Sequence, residues 1–209
     1  NIVDAIWVGR LSAEAIAAVS ISQIALFTMV SLGMGITVGS GVVMAMKIGA
    51  KNQKGAEQVL GQSFVLSVIF GVFFTAFSFM FTDVILTASG ATGDVFPLAK
   101  GYFLVVAGGS TLMFILMAIM FAFNAQGDSF TPTKLFAFST LVNVVLDPLL
   151  IFGYGPVPAM GVVGAAIATL ISQALFIVLA IRILRRESQM IPFRFQRLTF
   201  EWESVKEVF

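Results

Sequence analysis

Two aspartates lie inside stretches that are otherwise apolar, and they are the residues best placed to do chemistry. Asp147 interrupts the run "NVVLDPLLIFG", and Asp4 lies in "NIVDAIWVG". An aspartate near the centre of a membrane helix costs about 2.5 to 3.5 kcal/mol on insertion scales, so its presence needs a function or a partner. Each lies six residues before the end of its apolar run, so at about 1.5 Å per residue both are expected about 9 Å below the same membrane surface.

Polar residues near Asp147 predict a site at this depth. Asn143 precedes Asp147 by four residues and Thr140 precedes it by seven, so all three share one helix face, and Thr140 would line any cavity there. Pro148 has no amide hydrogen, and its ring clashes with the carbonyl of residue 144, which predicts a kink. Alternatively, Asp147 is a structural residue hydrogen-bonded to Asn143, and Asp4 lies closer to the membrane surface.

The amino-acid composition indicates that lipid surrounds the chain, and it excludes several classes of functional site. The chain is 58% hydrophobic and 11% charged, whereas about a quarter of the residues of a soluble protein are charged. It contains no cysteine and no histidine, which excludes disulfides, thiolate chemistry and the usual zinc sites. We therefore expect a membrane protein that has no cofactor and no nucleic-acid partner.

Charged residues divide the sequence into six apolar spans, and no span alternates as a membrane barrel strand would. A helical bundle is then the structure that satisfies backbone hydrogen bonds within lipid. The predicted fold class is therefore an all-α polytopic membrane protein. The first span is too short for a whole helix, so we expect the chain to be a piece of a longer protein. The predicted helices are about 1–9, 15–46, 59–82, 101–123, 135–152 and 159–181.

Basic residues predict the orientation of these helices. Ten of the twelve fall on one side, and only Arg10 and Lys100 fall on the other. By the positive-inside rule, loops 47–58, 124–134 and 182–209 are cytoplasmic. Residues 187–209 interleave aromatic and charged side chains, which predicts an amphipathic linker at the cytoplasmic interface after a transmembrane domain of residues 1–186.

Two further residues, Tyr102 and Thr169, have more than one interpretation, and two glycines predict a helix contact. Tyr102 begins the fourth helix at its outer end, where it would join an interfacial aromatic belt or reach the carboxylates. Thr169 lies inside the sixth helix, and its hydroxyl would bond back to its own helix or face the same site. Gly35 and Gly39 form a GxxxG pattern, which predicts close helix packing.

Several motifs together are familiar. The segments "NIVDAIWVGRLSAEAIAAVSIS", "GAKNQKGAEQ", "NAQGDSFTPT" and "NVVLDPLLIFG" followed by "MGVVGAAIATLIS" resemble the multidrug and toxic compound extrusion (MATE) family. The resemblance covers nearly the whole chain, and an aspartate in both the first and fifth helices is similar to the DinF-like prokaryotic branch.

This resemblance implies an antiporter of twelve helices in two lobes, and the chain would be the amino-terminal six-helix lobe with its first helix truncated. It implies a transporter rather than an enzyme, in the cytoplasmic membrane of a prokaryote, exporting organic, often cationic or amphiphilic, compounds against proton or sodium entry. Partners would be the substrates, lipid and the second lobe. By motif position, Asp4, Asn143, Asp147 and Thr169 match the family's cation site, where sodium could bind, and Tyr102 matches a cavity residue.

Two rival functions are open. An intramembrane aspartyl protease also needs two membrane aspartates, but a GxGD sequence is expected at one of them, and "VVL" precedes Asp147. A flippase of lipid-linked sugars would favour an arginine cluster in its cavity to hold a diphosphate. No predicted span contains an arginine or a lysine, which disfavours the flippase without excluding it.

Overall fold

Helices are the main secondary structure of the part of the chain that the structure describes. The computed structural model describes the backbone of residues 2–185, and the side chains of these residues except at positions 2, 3, 32 and 36. The predicted linker 187–209 and Arg186 lie outside the described residues. The all-α fold is confirmed. The helices are α1 Ile2–Val8, α2 Ala13–Gly49, α3 Gln53–Ala88, α4 Val95–Gly108, α5 Ser110–Ala125, α6 Phe130–Phe152 and α7 Val162–Leu184.

Helix length and composition make this a multi-pass membrane protein. Within residues 2–185, four helices are long and apolar enough to cross a membrane, and α4 with α5 forms a fifth span if the two are counted together. Large apolar side chains cover the outer surface of the bundle, among them Phe27, Met80 and Val145, which are 69%, 79% and 68% exposed. Such a surface suits lipid, because lipid tails solvate apolar side chains and cannot hydrogen-bond to polar ones.

Short polar side chains begin three of the helices. Ser12 Oγ accepts a hydrogen bond from the Ala15 amide at 3.1 Å before α2. Asn52 Oδ1 accepts one from Gly55 at 3.0 Å before α3. Asp128 Oδ1 accepts one from Thr131 at 2.9 Å before α6. These bonds satisfy amides that lack a partner in the first helical turn, and the bonds from Thr131 lower the pKa of Asp128.

The predicted single helix over 101–123 is wrong, because it is two helices that meet at Gly109 with a bend of 51°. A Cβ atom at Gly109 would collide with the side chain of Leu170 in α7. The hydroxyl of Thr75 in α3 donates to the Ala107 carbonyl at 3.0 Å, and Ser110 Oγ donates to the same carbonyl at 2.7 Å. The missing side chain lets α7 approach, and the two hydroxyls satisfy a carbonyl at the break.

The backbone of α3 and α6 and the glycine contacts differ in part from what the sequence predicts. Helix α3 has non-helical backbone angles at Phe81, with φ −113° and ψ 16°. Helix α6 continues through Pro148 to Phe152, so the kink at Pro148 stays a prediction. The close packing expected at Gly35 is wrong within the described residues, because nothing lies within 4 Å of a Cβ built there. Gly71 makes such a contact instead, against Thr111 of α5.

The connection after α6 ties that helix to α7. The amides of Met160 and Gly161 donate to the carbonyls of Leu150 and Ile151, each at 3.0 Å. A Cβ at Gly164 would collide with the Leu150 backbone, so only glycine permits this approach. The two helices therefore meet backbone to backbone at the end where the chain reverses.

Helix packing brings α1 to the centre of the site. Helix α1 contacts α2, α6 and α7, while α4 packs against both α2 and α7. Val8 of α1, Ile151 of α6 and Val162 of α7 are buried in one hydrophobic cluster. The side chain of Asp4, one turn before Val8, is thereby directed between α6 and α7.

Candidate functional site

Asp4 and Asp147, which are far apart in sequence, come together inside the bundle. Asp4 is 1% exposed and Asp147 is fully buried, and the two carboxyl groups lie close enough to interact electrostatically. Helix α1 supplies one and α6 the other. The two side chains are therefore neighbours, and their equal depth in a membrane stays a prediction.

Each carboxyl group receives one hydrogen bond from a neighbour named in the sequence analysis. Asn143 Nδ2 donates to Asp147 Oδ1 at 3.2 Å, one turn away on α6. Thr169 Oγ1 of α7 donates to Asp4 Oδ2 at 3.3 Å. The hydroxyl of Thr169 therefore reaches across to α1. These contacts connect three helices through the acid pair.

The second oxygen of each acid has no donor. Asp4 Oδ1 and Asp147 Oδ2 are buried and have no hydrogen-bond partner. Ionised carboxylates offer acceptors and no donor, so two in contact repel unless a proton or a cation lies between them. A buried charge without such compensation is strongly unfavourable. The arrangement is therefore suited to holding one proton or one small cation.

The oxygen atoms around the pair also fit a hard cation such as sodium. Two carboxylates, the amide of Asn143 and the hydroxyl of Thr169 offer oxygen donors, which suit hard cations rather than transition metals. Pro148 cannot donate to the carbonyl of Val144, which leaves a further oxygen acceptor one residue after Asn143. Among residues 2–185, no group of three or more His, Cys, Asp or Glu side chains is close enough to hold a metal ion.

A cavity of about 420 Å³ lies beside the acid pair, between α2, α4, α6 and α7. Its volume falls within the range of about 300 to 1,000 Å³ that is usual for small-molecule sites. Its lining includes Asp4, Gln23, Phe27, Tyr102, Met113, Phe136, Ser139, Thr140, Asn143, Thr169, Ser172 and Gln173.

Tyr102 lies in the wall of this cavity. It is 3% exposed, so it does not form part of an interfacial belt on the surface of the described bundle. Its hydroxyl lies near the side chain of Gln23 on α2, which lines the same cavity. Thr140, from the same face of α6 as Asn143, lines the cavity as well. Both residues proposed for the cavity from sequence are therefore located there.

Four polar residues of the lining were not predicted from the sequence, and these are Gln23, Ser139, Ser172 and Gln173. Helical spacing identifies three of them, including Ser172, which follows Thr169 by three residues. Ser139 precedes Asn143 by four residues, and Gln173 follows Thr169 by four, so each shares a face with a residue already singled out. Gln23 has no such partner on α2, and only the packing of α4 against α2 brings it to the site.

Comparison with known proteins finds one matching family and several similar sequences. The sequence profile of the MatE family matches residues 1–149. A FAD transporter of Shewanella oneidensis is 27% identical over 211 residues, covering 100% of this chain and 47% of the relative. The probable multidrug resistance protein YoeA of Bacillus subtilis is 32% identical over 189 residues, covering 90% of this chain and 41% of the relative. The chain thus spans about half the length of the curated relatives it matches.

The fold is also shared with solved structures. One is an outward-facing conformation of a multidrug resistance MATE family transporter of the MOP superfamily. It superposes with a TM-score of 0.88 at 28% identity, over 100% of this chain and 46% of that chain. The extent of the match corresponds to one lobe of a two-lobe transporter.

Proposed function

The chain belongs to the MATE family of membrane transporters, and on that basis we propose that it is the amino-terminal lobe of a cation-coupled antiporter. The whole protein exports organic compounds, cationic or amphiphilic in character, while a proton or a sodium ion enters. A second six-helix lobe completes the central cleft. Since members of this family are transporters and not enzymes, the aspartyl protease alternative is set aside.

The observation that carries the proposal is the buried acid pair beside the cavity. Asp4 and Asp147 each have an oxygen without a donor, and Asp4 lines the space that a small molecule would enter. A single inorganic cation or proton and an organic cation therefore compete for the same negative charge. Such competition is what an exchange mechanism requires.

The exchange follows from charge and packing. When the pair is ionised, it attracts an organic cation that enters the cavity from the cytoplasmic side or the inner leaflet. A proton or sodium ion arriving from outside neutralises the pair, which removes that attraction and changes the contacts among α1, α6 and α7. Coupling arises because each ligand binds one facing of the protein more tightly than the other.

The distribution of basic residues supports the orientation. Lys47 ends α2, Lys54 begins α3, and Arg182 and Arg185 end α7. These helix ends adjoin one hydrophobic cluster that includes Met44, Ala56 and Leu184, so they lie at one end of the bundle. That end is cytoplasmic by the positive-inside rule, which puts loops 47–58, 124–134 and 182–209 inside and the acid pair nearer the outer face.

The charge of the cavity favours cationic cargo. Its lining includes Asp4 and contains no arginine or lysine among the described residues. A diphosphate would need basic groups for binding, so neither a flavin dinucleotide, the cargo in the name of the Shewanella relative, nor a lipid diphosphate fits this lobe. The flippase remains the alternative, and it would require the second lobe to supply those groups.

The coupling ion is tested with the full-length protein in sealed lipid vesicles. Addition of a cationic substrate is expected to move either protons, seen with a pH-sensitive dye, or sodium, seen with ²²Na⁺, in the opposite direction to the substrate. An imposed gradient of the coupling ion is expected to drive uphill substrate accumulation. Accumulation that is equal with and without both gradients contradicts antiport.

A further inference from the structure

The cavity contains a second set of polar atoms that the exchange described above does not use. Ser172 and Gln173 follow Thr169 by three and four residues on α7, and both line the cavity. Ser172 Oγ and Gln173 Oε1 are buried and have no hydrogen-bond partner. Ser172 is only 5% exposed, so solvent outside the protein does not satisfy its hydroxyl.

Other polar side chains in the same cavity do have partners. Asn143 and Thr169 donate to the acids, and Ser139 donates to the backbone carbonyl of Ser172. Among the buried side-chain oxygens of the described lining residues, those without a partner are therefore Asp4 Oδ1, Ser172 Oγ and Gln173 Oε1.

The missing bond of Ser172 is not a general feature of serines in these helices. Ser22 donates to the carbonyl of Ala18 at 2.7 Å, and Ser63 donates to that of Val59 at 2.7 Å. Such bonds to the carbonyl four residues earlier are the usual way in which a buried hydroxyl is satisfied within a helix. Ser172 makes no such bond, so its oxygen has no hydrogen-bond partner within the protein.

The position of this pair is fixed by a contact between helices. Ser139 Oγ of α6 donates to the backbone carbonyl of Ser172, which holds the two helices together at this level. The terminal torsion of a glutamine side chain is soft, so rotation of the Gln173 amide turns Oε1 toward a ligand at little cost. The backbone is therefore preorganised, and only one side-chain torsion needs to adjust.

We propose that Ser172 and Gln173 form a second recognition point, which accepts a hydrogen bond from an N–H or O–H group of the exported molecule. This inference rests on the proposed function, since it assumes that the cavity holds cargo. Thr169, bonded to Asp4, marks the position of the cargo's positive charge, and Gln173 lies one turn along the same face. Residues at this spacing have Cβ atoms about 5 to 6 Å apart, so the preferred cargo is an organic cation with a hydrogen-bond donor at about that distance from its charge.

The experiment compares two cationic probes exported by the full-length protein. Ethidium carries amino groups, whereas tetraphenylphosphonium has no N–H or O–H group. Replacement of Gln173→Met keeps the length of the side chain and removes the amide. We expect the KM for ethidium to rise about 5- to 10-fold, as for the loss of one hydrogen bond, while the KM for tetraphenylphosphonium stays the same. Ser172→Ala, a smaller change, is expected to shift the two KM values in the same selective way.

Ser78 provides a matched control for these substitutions. Ser78 is buried, and its hydroxyl contacts the Met29 sulfur rather than the cavity, so Ser78→Ala is expected to change neither KM. If neither Gln173→Met nor Ser172→Ala distinguishes the two probes, the second recognition point does not exist. If the unsubstituted protein exports neither probe, the proposed function itself is wrong, and this inference falls with it.

Discussion

At the scale of single residues, the charge on the Asp4–Asp147 pair is what the proposed exchange depends on. We predict that Asp147→Asn abolishes drug efflux, because an amide cannot ionise and so can neither attract an organic cation nor take up a proton. The change preserves size, so the protein is expected to remain folded in the membrane. Efflux of a fluorescent cation from cells, normalised to the amount of protein in the membrane, measures the effect.

A second aspartate offers a matched control for this substitution. Asp83 is 63% exposed and pairs with Lys100 at 2.7 Å on the surface of the bundle, where an ion pair contributes about 0 to 1 kcal/mol. Asp83→Asn is expected to leave efflux unchanged. Normal efflux by the Asp147→Asn protein would refute the role assigned to the acid pair.

The hydroxyl of Thr169 provides a graded test of the same site. Thr169→Val keeps the shape of the side chain and removes the donor to Asp4, at a cost of about 1 kcal/mol or about fivefold in an equilibrium constant. We expect the concentration of coupling ion that gives half-maximal efflux to change by about that factor. Thr169→Ser, which retains the hydroxyl, is expected to behave like the unsubstituted protein. An unchanged ion dependence in the valine variant would show that the bond does not contribute.

Sequence alone locates part of this site for a clear physical reason. The bond between Asn143 and Asp147 lies within one helix, and helical spacing predicts it directly. The contact between Thr169 and Asp4 joins residues 165 positions apart, and it depends on how α1 packs between α6 and α7. Gln23 illustrates the limit, because nothing in the sequence around it indicates which neighbouring helix it faces.

At the scale of helices, the break between α4 and α5 depends on the absence of a side chain at Gly109. We predict that Gly109→Ala destabilises the protein by about 1 to 3 kcal/mol, the usual cost of overpacking, because Leu170 already occupies the space of the new methyl group. Thermal unfolding of the purified full-length protein in detergent, monitored by loss of helical signal, measures this change.

Gly35 is the natural comparison, since it also lies in a helix but has nothing within 4 Å of a Cβ built there. Gly35→Ala is expected to be neutral or to stabilise the protein by up to about 1 kcal/mol through helix propensity. If the two substitutions have equal effects on stability, the close approach of α7 is not the reason that position 109 requires glycine.

The sequence predicted the positions of the helices more accurately than the positions of their bends. Long apolar spans bounded by charged residues identify membrane helices because lipid leaves few alternatives for the backbone. The bend at Gly109 was missed because glycine is common in membrane helices and its neighbours are apolar. Only the opposing surface of Leu170 distinguishes this glycine from Gly35.

At the scale of the whole molecule, the orientation of the bundle in the membrane can be tested directly. This lobe has no cysteine, so a single cysteine introduced at one of its exposed loop positions is labelled without background from the lobe itself. We predict that Thr92→Cys, between α3 and α4, reacts with a membrane-impermeant maleimide added to intact cells, because that loop faces outward. Gln53→Cys, at the start of α3, is expected to react only after the cells are opened. The reverse pattern would invert the orientation inferred from the basic residues.

The joint between α6 and α7 has a consequence for the whole transport cycle. These helices are bonded through Leu150 and Ile151 at one end and through Ser139 and Ser172 further along, so they are expected to tilt as one rigid hairpin. Asp147 lies on one arm of this hairpin, and Thr169 and Gln173 lie on the other. Ion binding and cargo release would then occur in a single movement, which prevents slippage and keeps the stoichiometry of exchange fixed.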